Sequence, residues 1–141
     1  MEIIIHVESK KLDKNLQLAI DEYVKRTSPF CKVIIKLYKT LDRINHKPSS
    51  KLYYVIPGVN SPSSEGLSKL IEDISLNGTS CIEFVIKNND MMDEQSSYSI
   101  PSSAEIFNLS SFSMSTDLTT VVLTEQIYRA YTITNNITYH K

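Results

Sequence analysis

Apolar residues along the chain fall into short runs of strand length that alternate with stretches of helical spacing. The strand-like runs are residues 2–7, 31–38, 52–56, 81–86 and 104–109, and their β-branched and aromatic content favours strands. Because these runs alternate with helical patterns, the sequence predicts an α/β fold with a mostly parallel sheet covered by helices. No linker or internal repeat divides residues 1–141, so we expect a single domain.

Two of the helical stretches carry recognisable start and stop signals. In the first, apolar residues recur at intervals of three and four, and Asp13 is the predicted cap. These apolar residues are Leu12, Leu16, Ala19, Ile20, Tyr23 and Val24. The second has Ser61 as its predicted cap and Pro62 at the first helical position, and it ends at Asn77-Gly78. Each of these helices is therefore predicted to follow a strand directly.

A third helical pattern opens at Asp117 and breaks at Asn135-Asn136. The connection between the second and third strand-like runs, residues 39–51, has no such pattern. At 13 residues it is short for a crossover that contains a helix between two loops. We therefore expect a helix on every connection of the first four strands except this one.

Charge is distributed unevenly, although the net charge is only −1. Between residues 25 and 51 eight basic side chains accompany one acid, so this segment carries +7 and the remainder −8. The basic side chains are those of Lys25, Arg26, Lys32, Lys36, Lys39, Arg43, Lys47 and Lys51. Such a segment is typical of a surface that binds nucleic-acid phosphates, and equally of a solvated face. Charge alone leaves both interpretations open.

Cysteine and histidine spacing gives no sign of a metal site. Cys31 and Cys81 stand 50 residues apart in apolar runs, which predicts two buried free thiols. His6, His46 and His140 show no ligand spacing, and His6 within a strand is most simply a core residue. The N-terminal apolar run is too short for a signal peptide or a membrane span, so we expect a cytoplasmic protein without a membrane or metal partner.

No nucleotide-binding or nucleophile motif is present in the sequence: there is no GxGxxG, no Walker loop and no GxSxG. An open parallel sheet nevertheless binds ligands beyond the carboxyl ends of its strands. The loops expected there are residues 57–60, 87–92 and 110–116. We predict that a ligand site lies among these three loops.

The last 21 residues, VVLTEQIYRAYTITNNITYHK, carry the most specific pattern in the chain. Apolar residues lead into Glu-Gln-Ile-Tyr-Arg-Ala, and a terminal Tyr-His is followed by a basic residue. Together with EYVKRTSPF, with IPG followed by SSEGL, and with the strand before residue 87, this pattern resembles the RlmH-type members of the SPOUT RNA methyltransferases. The resemblance spans nearly the whole chain.

This resemblance implies an α/β-knot fold with a C-terminal trefoil knot, assembled as a homodimer. It implies S-adenosyl-L-methionine as methyl donor and N3 of a pseudouridine in large-subunit ribosomal RNA, on the assembled ribosome, as acceptor. The implied donor-binding residues are Tyr54, Ile56, Asn88, Leu109, Ser110, Ser111, Phe112, Ser113 and Met114. The implied catalytic residues are Arg129, Tyr139, His140 and Lys141.

Each implied catalytic residue has a distinct expected role. His140, whose ordinary pKa is near neutral, is the expected proton acceptor or orienting group. Tyr139 is expected to stack on the RNA base or hydrogen-bond to it, and Lys141 or Arg129 to hold phosphate. If the last helix forms the dimer interface, as the resemblance implies, its contact face is expected to carry Leu118, Val121, Val122 and Glu125.

The chain departs from the family pattern in several places: at Val59, at residues 114–116, at Thr120, in the loop after the fourth strand, and between the second and third strands. Relatives carry a glycine-rich loop after the fourth strand, where this chain reads Lys87-Asn88-Asn89-Asp90-Met91. Glycine permits positive φ and close approach of backbone to a ligand, which asparagine and aspartate permit only in part. The helix usually found between the second and third strands is also missing. Two hypotheses follow: an active methyltransferase, or a catalytically inactive knotted dimer that retains RNA or ribosome binding.

Overall fold

The computed structural model describes residues 1–88 and 100–139. In chain order the elements are β1 (Glu2–Glu8), α1 (Lys14–Thr27), β2 (Lys32–Tyr38), a 3₁₀ turn (Leu41–Arg43), β3 (Lys51–Val55), α2 (Ser64–Leu76), β4 (Cys81–Ile86), β5 (Glu105–Phe107) and α3 (Thr116–Thr134). The strands form one sheet in the order β2-β1-β4-β3-β5, and every neighbouring pair is parallel. The predicted α/β class and mostly parallel sheet are confirmed.

Most of the predicted helix ends agree with the capping residues in the structure. The Asp13 side chain accepts hydrogen bonds from the backbone N–H groups of Asn15 and Leu16 at the start of α1. Asn77 ends α2, and Gly78 follows it with φ 89°, a conformation that glycine adopts without strain. These contacts are local, which is why the residue pattern predicts them.

The predicted start of α2 is wrong by two residues. Ser63, not Ser61, caps this helix, through a hydrogen bond from the Gly66 N–H to the Ser63 hydroxyl. The Ser61 hydroxyl instead donates to the backbone carbonyl of Leu109, 48 residues later in the chain. A tertiary contact therefore takes the side chain that the local pattern assigned to the cap. The start of α3 is also one residue earlier than expected, because Ser115 caps it.

One face of the sheet, here called the helix-covered face, packs against all three helices. Its core is apolar and continuous with the buried sides of α1, α2 and α3. The strand residues in this core are Ile3, Ile5, Val7, Tyr53, Ile82, Phe84, Ile86 and Phe107, and the helix residues include Ile20, Leu67, Ile71, Leu123, Ile127 and Ala130. Leucine and isoleucine at helical spacing thus bury one stripe of each helix.

The opposite face, here called the loop-covered face, has no α-helix over it within the described residues. A smaller apolar cluster of Leu52, Tyr54 and Val85 lies there, covered by Leu41 and Ile44 of the connection between β2 and β3 and by residues 100 and 104. That connection contains only the 3₁₀ turn, so the predicted absence of a helix is confirmed. The sheet face is therefore buried by an irregular segment.

The loops after β3 and β5 are held together beyond the ends of the strands. The Ile56 N–H donates to the Phe107 carbonyl and the Gly58 N–H to the Ser110 carbonyl, each at 3.0 Å. The Asn108 side-chain amide donates to the Ile56 carbonyl at 2.7 Å. A Cβ at Gly58 would lie 2.5 Å from the Asn108 side chain, so a larger residue there would displace this amide. The β5 strand, Glu105–Phe107, is shorter than the predicted strand 104–109.

None of the described helices has the length and apolar character needed to cross a membrane. Cys31 and Cys81 are both buried and both free, as predicted. The trefoil knot stays a prediction, because the loop that the chain end is expected to thread includes residues 89–99, outside the described part.

Candidate functional site

A small cavity lies where the carboxyl ends of β3 and β4 meet the start of α3, and we call it the strand-end cavity. It is lined by Val55, Ile56, Pro57, Ile86, Lys87, Leu109, Ser110, Phe112, Met114 and Thr119. This is the edge of a parallel sheet at which ligands usually bind. Five of the nine predicted donor-binding residues line it: Ile56, Leu109, Ser110, Phe112 and Met114.

The other four predicted donor-binding residues lie around this cavity rather than in its lining. Tyr54 lies on β3 and is buried on the loop-covered face. The Asn88 N–H donates to the Glu8 carboxylate at 3.0 Å. Ser111 and Ser113 are exposed in the loop before α3. The structure thus places all nine near one edge of the sheet, and brings only part of the set into the cavity.

Lys87, the first residue of the loop where the resemblance implies glycine, also lines the cavity. Its side chain is buried at 7% exposure, and its Nζ lies 5.6 Å from the centre of the Tyr54 ring. Burial lowers the pKa of Lys87 to about 8, although the nearby Glu8 carboxylate opposes this. The cavity that remains measures about 20 Å³, room for about one water molecule. Lys87 therefore lines the cavity at the end of β4, in the loop where the resemblance implies glycine.

Residues of the C-terminal motif form a separate cluster, built on the second half of α3 and the segment after it. We call it the tail cluster, and it consists of Glu125, Tyr128, Arg129 and Tyr139. Arg129 donates to the Glu125 carboxylate at 2.7 Å, and the Tyr139 hydroxyl donates to the same oxygen at 3.0 Å. The Arg129 guanidinium lies 5.1 Å from the centre of the Tyr139 ring, which also packs edge-on to Tyr128. Tyr139 thus lies back along the helix.

These contacts set the charge states of the tail cluster. The hydrogen bond that Arg129 donates to Glu125 raises the pKa of Arg129 above its already high ordinary value, so the guanidinium is always charged. Burial, with the hydrogen bonds of Tyr23 and Glu125, raises the pKa of Tyr139, so its phenol stays protonated. The cluster therefore offers one cation and one neutral hydroxyl. His140 and Lys141, predicted to act beside it, lie outside the described residues.

Within one protomer, the tail cluster and the strand-end cavity lie apart. Thr119 lines the cavity, and Arg129 follows ten residues later on the same helix, about 15 Å along its axis. Tyr128 follows Thr119 by nine residues, which is two and a half turns, so it projects from the opposite side of α3. One chain alone does not bring the two predicted parts of the site together.

A basic cleft lies beside the strand-end cavity at the same edge of the sheet. It measures about 490 Å³ and is lined by Glu8, Ser9, Lys10, Lys11, Lys39, Thr40 and Asn88. Lys10 and Lys11 precede the basic segment that the sequence singled out, and spacing alone gave no reason to group them with Lys39. The loops after β1 and β2 meet here because both strands end at this edge.

The basic segment 25–51 does not form one surface. Lys32 begins β2 and Lys51 begins β3, so both lie at the amino edge of the sheet, whereas Lys39 follows the carboxyl end of β2. Lys47 and Lys51 form ion pairs with Glu2 and Glu105. Only part of the segment therefore faces the predicted ligand edge.

Comparison with known proteins gives matches over the full chain. A family model described as "Predicted SPOUT methyltransferase" matches residues 1–140. Ribosomal RNA large subunit methyltransferase H 1 of Thermoanaerobacter sp. (strain X514) is 33% identical over 139 residues, 97% of each chain. Ribosomal RNA large subunit methyltransferase H of Clostridium novyi (strain NT) is 36% identical over 169 aligned positions that cover both chains completely. The latter alignment exceeds the 141 residues of this chain by 28, so that relative contains segments that this chain lacks.

Proposed function

The chain belongs to the SPOUT methyltransferase family, and we propose that it transfers a methyl group from S-adenosyl-L-methionine to large-subunit ribosomal RNA. The observation that carries this proposal is the match over residues 1–140. It is supported by five of the nine predicted donor-binding residues, which line one cavity at the carboxyl edge of the sheet. We further propose N3 of a pseudouridine on the assembled ribosome as the acceptor.

The lining of the strand-end cavity suits the donor in chemistry but not yet in volume. Apolar side chains of Ile56, Leu109 and Met114 suit an adenine ring, and the Ser110 hydroxyl suits its polar atoms. We expect the donor to fit only when side chains of the lining, Lys87 among them, move aside. Lysine is long and flexible, so its side chain is able to move. The lowered pKa of Lys87 means that its ammonium loses its proton more easily, which removes a charge that would repel the positive sulfonium of the donor. When bound, the donor supplies an electrophilic methyl group.

The residues of the chain then have to orient the acceptor base and accept one proton from it. Arg129 is a permanent cation for phosphate, and the protonated Tyr139 hydroxyl is a hydrogen-bond donor for the base. His140, with an ordinary pKa near neutral, is the proposed proton acceptor, and Lys141 a second phosphate contact. Proton removal at N3 makes the acceptor nitrogen a better nucleophile.

The separation along α3 supports a homodimer in which the tail of one chain completes the strand-end cavity of the other. Leu118 is 41% exposed and Phe112 is 78% exposed beside the cavity, so apolar surface is present there for a second copy. Sedimentation at micromolar concentration should show a species of twice 16.1 kDa. A chain that remains at 16.1 kDa throughout would contradict the composite site.

The basic cleft supports RNA as the acceptor. Lys10, Lys11 and Lys39 line it beside the strand-end cavity, and lysine contacts to phosphate supply much of the affinity for RNA. Replacing these three with glutamate should weaken ribosome binding and reduce its salt dependence. Matched replacement of Lys25, Lys32 and Lys51, which lie at or near the amino edge, should change both much less.

The deciding experiment measures methyl transfer and donor binding separately. Ribosomes from a strain without the corresponding endogenous activity are incubated with the protein and isotope-labelled donor, and modified nucleosides are identified by mass spectrometry. We expect a methylated pseudouridine in large-subunit RNA, and a His140→Ala variant that loses about 100-fold in turnover but binds the donor normally. If calorimetry shows donor binding and no ribosomal RNA is methylated, the acceptor is wrong. If the donor does not bind either, the inactive-dimer hypothesis replaces the proposal.

A further inference from the structure

Three side chains with metal-binding atoms converge on the loop-covered face, away from the strand-end cavity. His6 on β1 and Glu83 on β4 are completely buried, and His46 comes from the connection between β2 and β3 with its side chain 25% exposed. One ligand atom from each lies within 4.8 Å of the others. His6 Nε2 is 2.7 Å from Glu83 Oε1, and His46 Nδ1 is 3.6 Å from the same oxygen.

Hydrogen bonds to neighbouring residues orient the His6 and Glu83 side chains so that their candidate ligand atoms face one another. His6 Nδ1 lies 2.9 Å from the Tyr38 hydroxyl, which holds the ring with its Nε2 towards Glu83. Glu83 Oε2 accepts hydrogen bonds from the Lys47 N–H at 3.0 Å and from the Ser50 hydroxyl, so Oε1 faces the two imidazoles. Such outer contacts orient the ligands of many metal sites.

The electrostatics favour the protonation states that bind a metal. Burial lowers the pKa of His6, so its imidazole is neutral near pH 7. Burial alone would raise the pKa of Glu83, but hydrogen bonds from Ser50, His6 and the Lys47 amide outweigh it and lower the pKa, so the carboxylate is ionised. Neutral imidazoles and an ionised carboxylate are the forms that coordinate a divalent ion.

A hydrogen-bonded network without a metal accounts for His6 and Glu83 but not for His46. The buried Nδ1 of His46 makes no hydrogen bond within the described residues. An unsatisfied buried polar atom is costly, and its presence calls for a partner that the side chains do not provide. The 3.6 Å distance to Glu83 is too long for a hydrogen bond and suits two ligands of one ion.

We propose that His6, His46 and Glu83 bind a divalent transition-metal ion, with Zn²⁺ as the best match to two imidazoles and a carboxylate. Ligand bonds of about 2.0–2.2 Å in a tetrahedron place neighbouring ligand atoms about 3.3 Å apart. The distances of 2.7 and 3.6 Å to Glu83 Oε1 lie on either side of that value. Water takes the fourth position, and the exposed edge of His46 provides the entry path.

The ion would crosslink the irregular connection between β2 and β3 to the sheet. His46 belongs to the only described crossover from strand to strand that lacks an α-helix, and it lies directly over the buried β1–β4 pair. A bond between this segment and two central strands would replace part of the packing that a helix supplies. Its role is therefore structural, and it is independent of the proposed methyl transfer.

Zinc titration of protein stripped with a chelator tests the site. Calorimetry should show one Zn²⁺ per chain, and Co²⁺ should give the visible absorption of a tetrahedral ion. At about a hundredfold excess over the dissociation constant, Zn²⁺ should raise the melting temperature by about 5–10 °C. His46→Ala removes one ligand outside the core and should reduce the affinity by about 100-fold or more.

Lys47→Ala is the matched control, because it changes the adjacent exposed side chain but keeps all three ligands and the amide that donates to Glu83. It should bind Zn²⁺ like the wild type. Circular dichroism without metal checks that both variants are folded. The proposal is overturned if the wild type binds no Zn²⁺ in this titration, or if His46→Ala binds Zn²⁺ as tightly as Lys47→Ala does.

Discussion

The two faces of the sheet are buried by different means. The core of the helix-covered face is apolar, and three helices pack on it. The loop-covered face contains His6 and Glu83 at 0% exposure beside a much smaller apolar cluster, and an irregular segment covers it. Burial of apolar surface is non-directional, whereas buried polar groups contribute only when each has its partner. Where a helix is absent, directed hydrogen bonds replace packed side chains.

The largest expected effect comes from a cavity in the helix-covered face. Phe84 is 1% exposed, with its ring centre 5.6 Å from that of Tyr53 and 5.4 Å from that of Phe107. Phe84→Ala should lower the free energy of unfolding by about 3–5 kcal/mol, measured by urea denaturation. Phe112→Ala, which changes an exposed ring, should lower it by less than about 0.5 kcal/mol. Equal effects would contradict the assigned packing.

A smaller loss is expected from the loop-covered face when the shape is kept and the charge removed. Glu83→Gln leaves His6, Ser50 and the Lys47 amide with one uncharged acceptor and an added donor group. The free energy of unfolding should fall by about 1–3 kcal/mol in the absence of metal. Glu105→Gln is the control, since it changes an exposed carboxylate paired with Lys51 and should cost under about 1 kcal/mol. An unchanged free energy of unfolding in Glu83→Gln would show that the hydrogen-bond network does not stabilise the fold.

Lys87 lies where the loop-covered face meets the strand-end cavity. Lys87→Ala removes a long, charged side chain from the cavity lining, so donor affinity should rise about tenfold, or about 1.4 kcal/mol. Wild-type affinity should also rise between pH 7 and 9, because Lys87 has a pKa of about 8 and loses its charge in that range. Calorimetric titration of both proteins measures this. An unchanged affinity in Lys87→Ala would mean that the donor does not enter this cavity.

The smallest expected effect is a pH dependence confined to the loop-covered face. Burial lowers the pKa of His6 in the folded protein, with added repulsion from His46 and Lys36 and opposition from Glu83. The unfolded chain then binds a proton more readily, so stability is complete above the unfolded pKa of about 6.5 and falls as the pH decreases below it. The lowered pKa of Glu83 adds a further loss that begins below about 4.5.

Denaturant unfolding of metal-free protein between pH 7.5 and 5.5 measures the His6 contribution. A variant with both His46→Ala and His140→Ala should keep most of the decline, because His6 remains. Phe84→Ala should lower stability by a similar amount at every pH, because its cavity lies on the other face. If the decline in stability disappears in the double variant, the titrating group is not His6.

Local pattern was enough to predict the strands, most helix ends and the missing helix between β2 and β3. The predicted strand 81–86 coincides with β4, and Asp13 caps α1 as expected. These features depend on neighbours within four residues. The failure at Ser61 shows the limit, because its hydroxyl is bonded to a carbonyl 48 residues away.

The resemblance placed the candidate donor site on residues that lie near the carboxyl edge of the sheet, but it did not predict how their side chains pack there. The resemblance implies glycine where the chain has Lys87, and only the packed structure shows that the Lys87 side chain lines the cavity and lies against the Tyr54 ring. Likewise, the tail motif is evident in the sequence, while the position of Tyr139 against Glu125 depends on the chain turning back after α3. Within one chain, the proposed donor site and the tail cluster therefore lie apart.

By itself, the sequence determined the α/β alternation, the family and the segment without a helix, because periodicity and motif residues are properties of short stretches. Tertiary structure alone decided that His6 meets Glu83, 77 residues away, and that His46 lies over both. Their meeting follows from the register of β1 against β4, in which Ile4 is opposite Glu83 and His6 is opposite Val85. Strand register is set by the whole buried surface, so no spacing between histidines along the chain could reveal it.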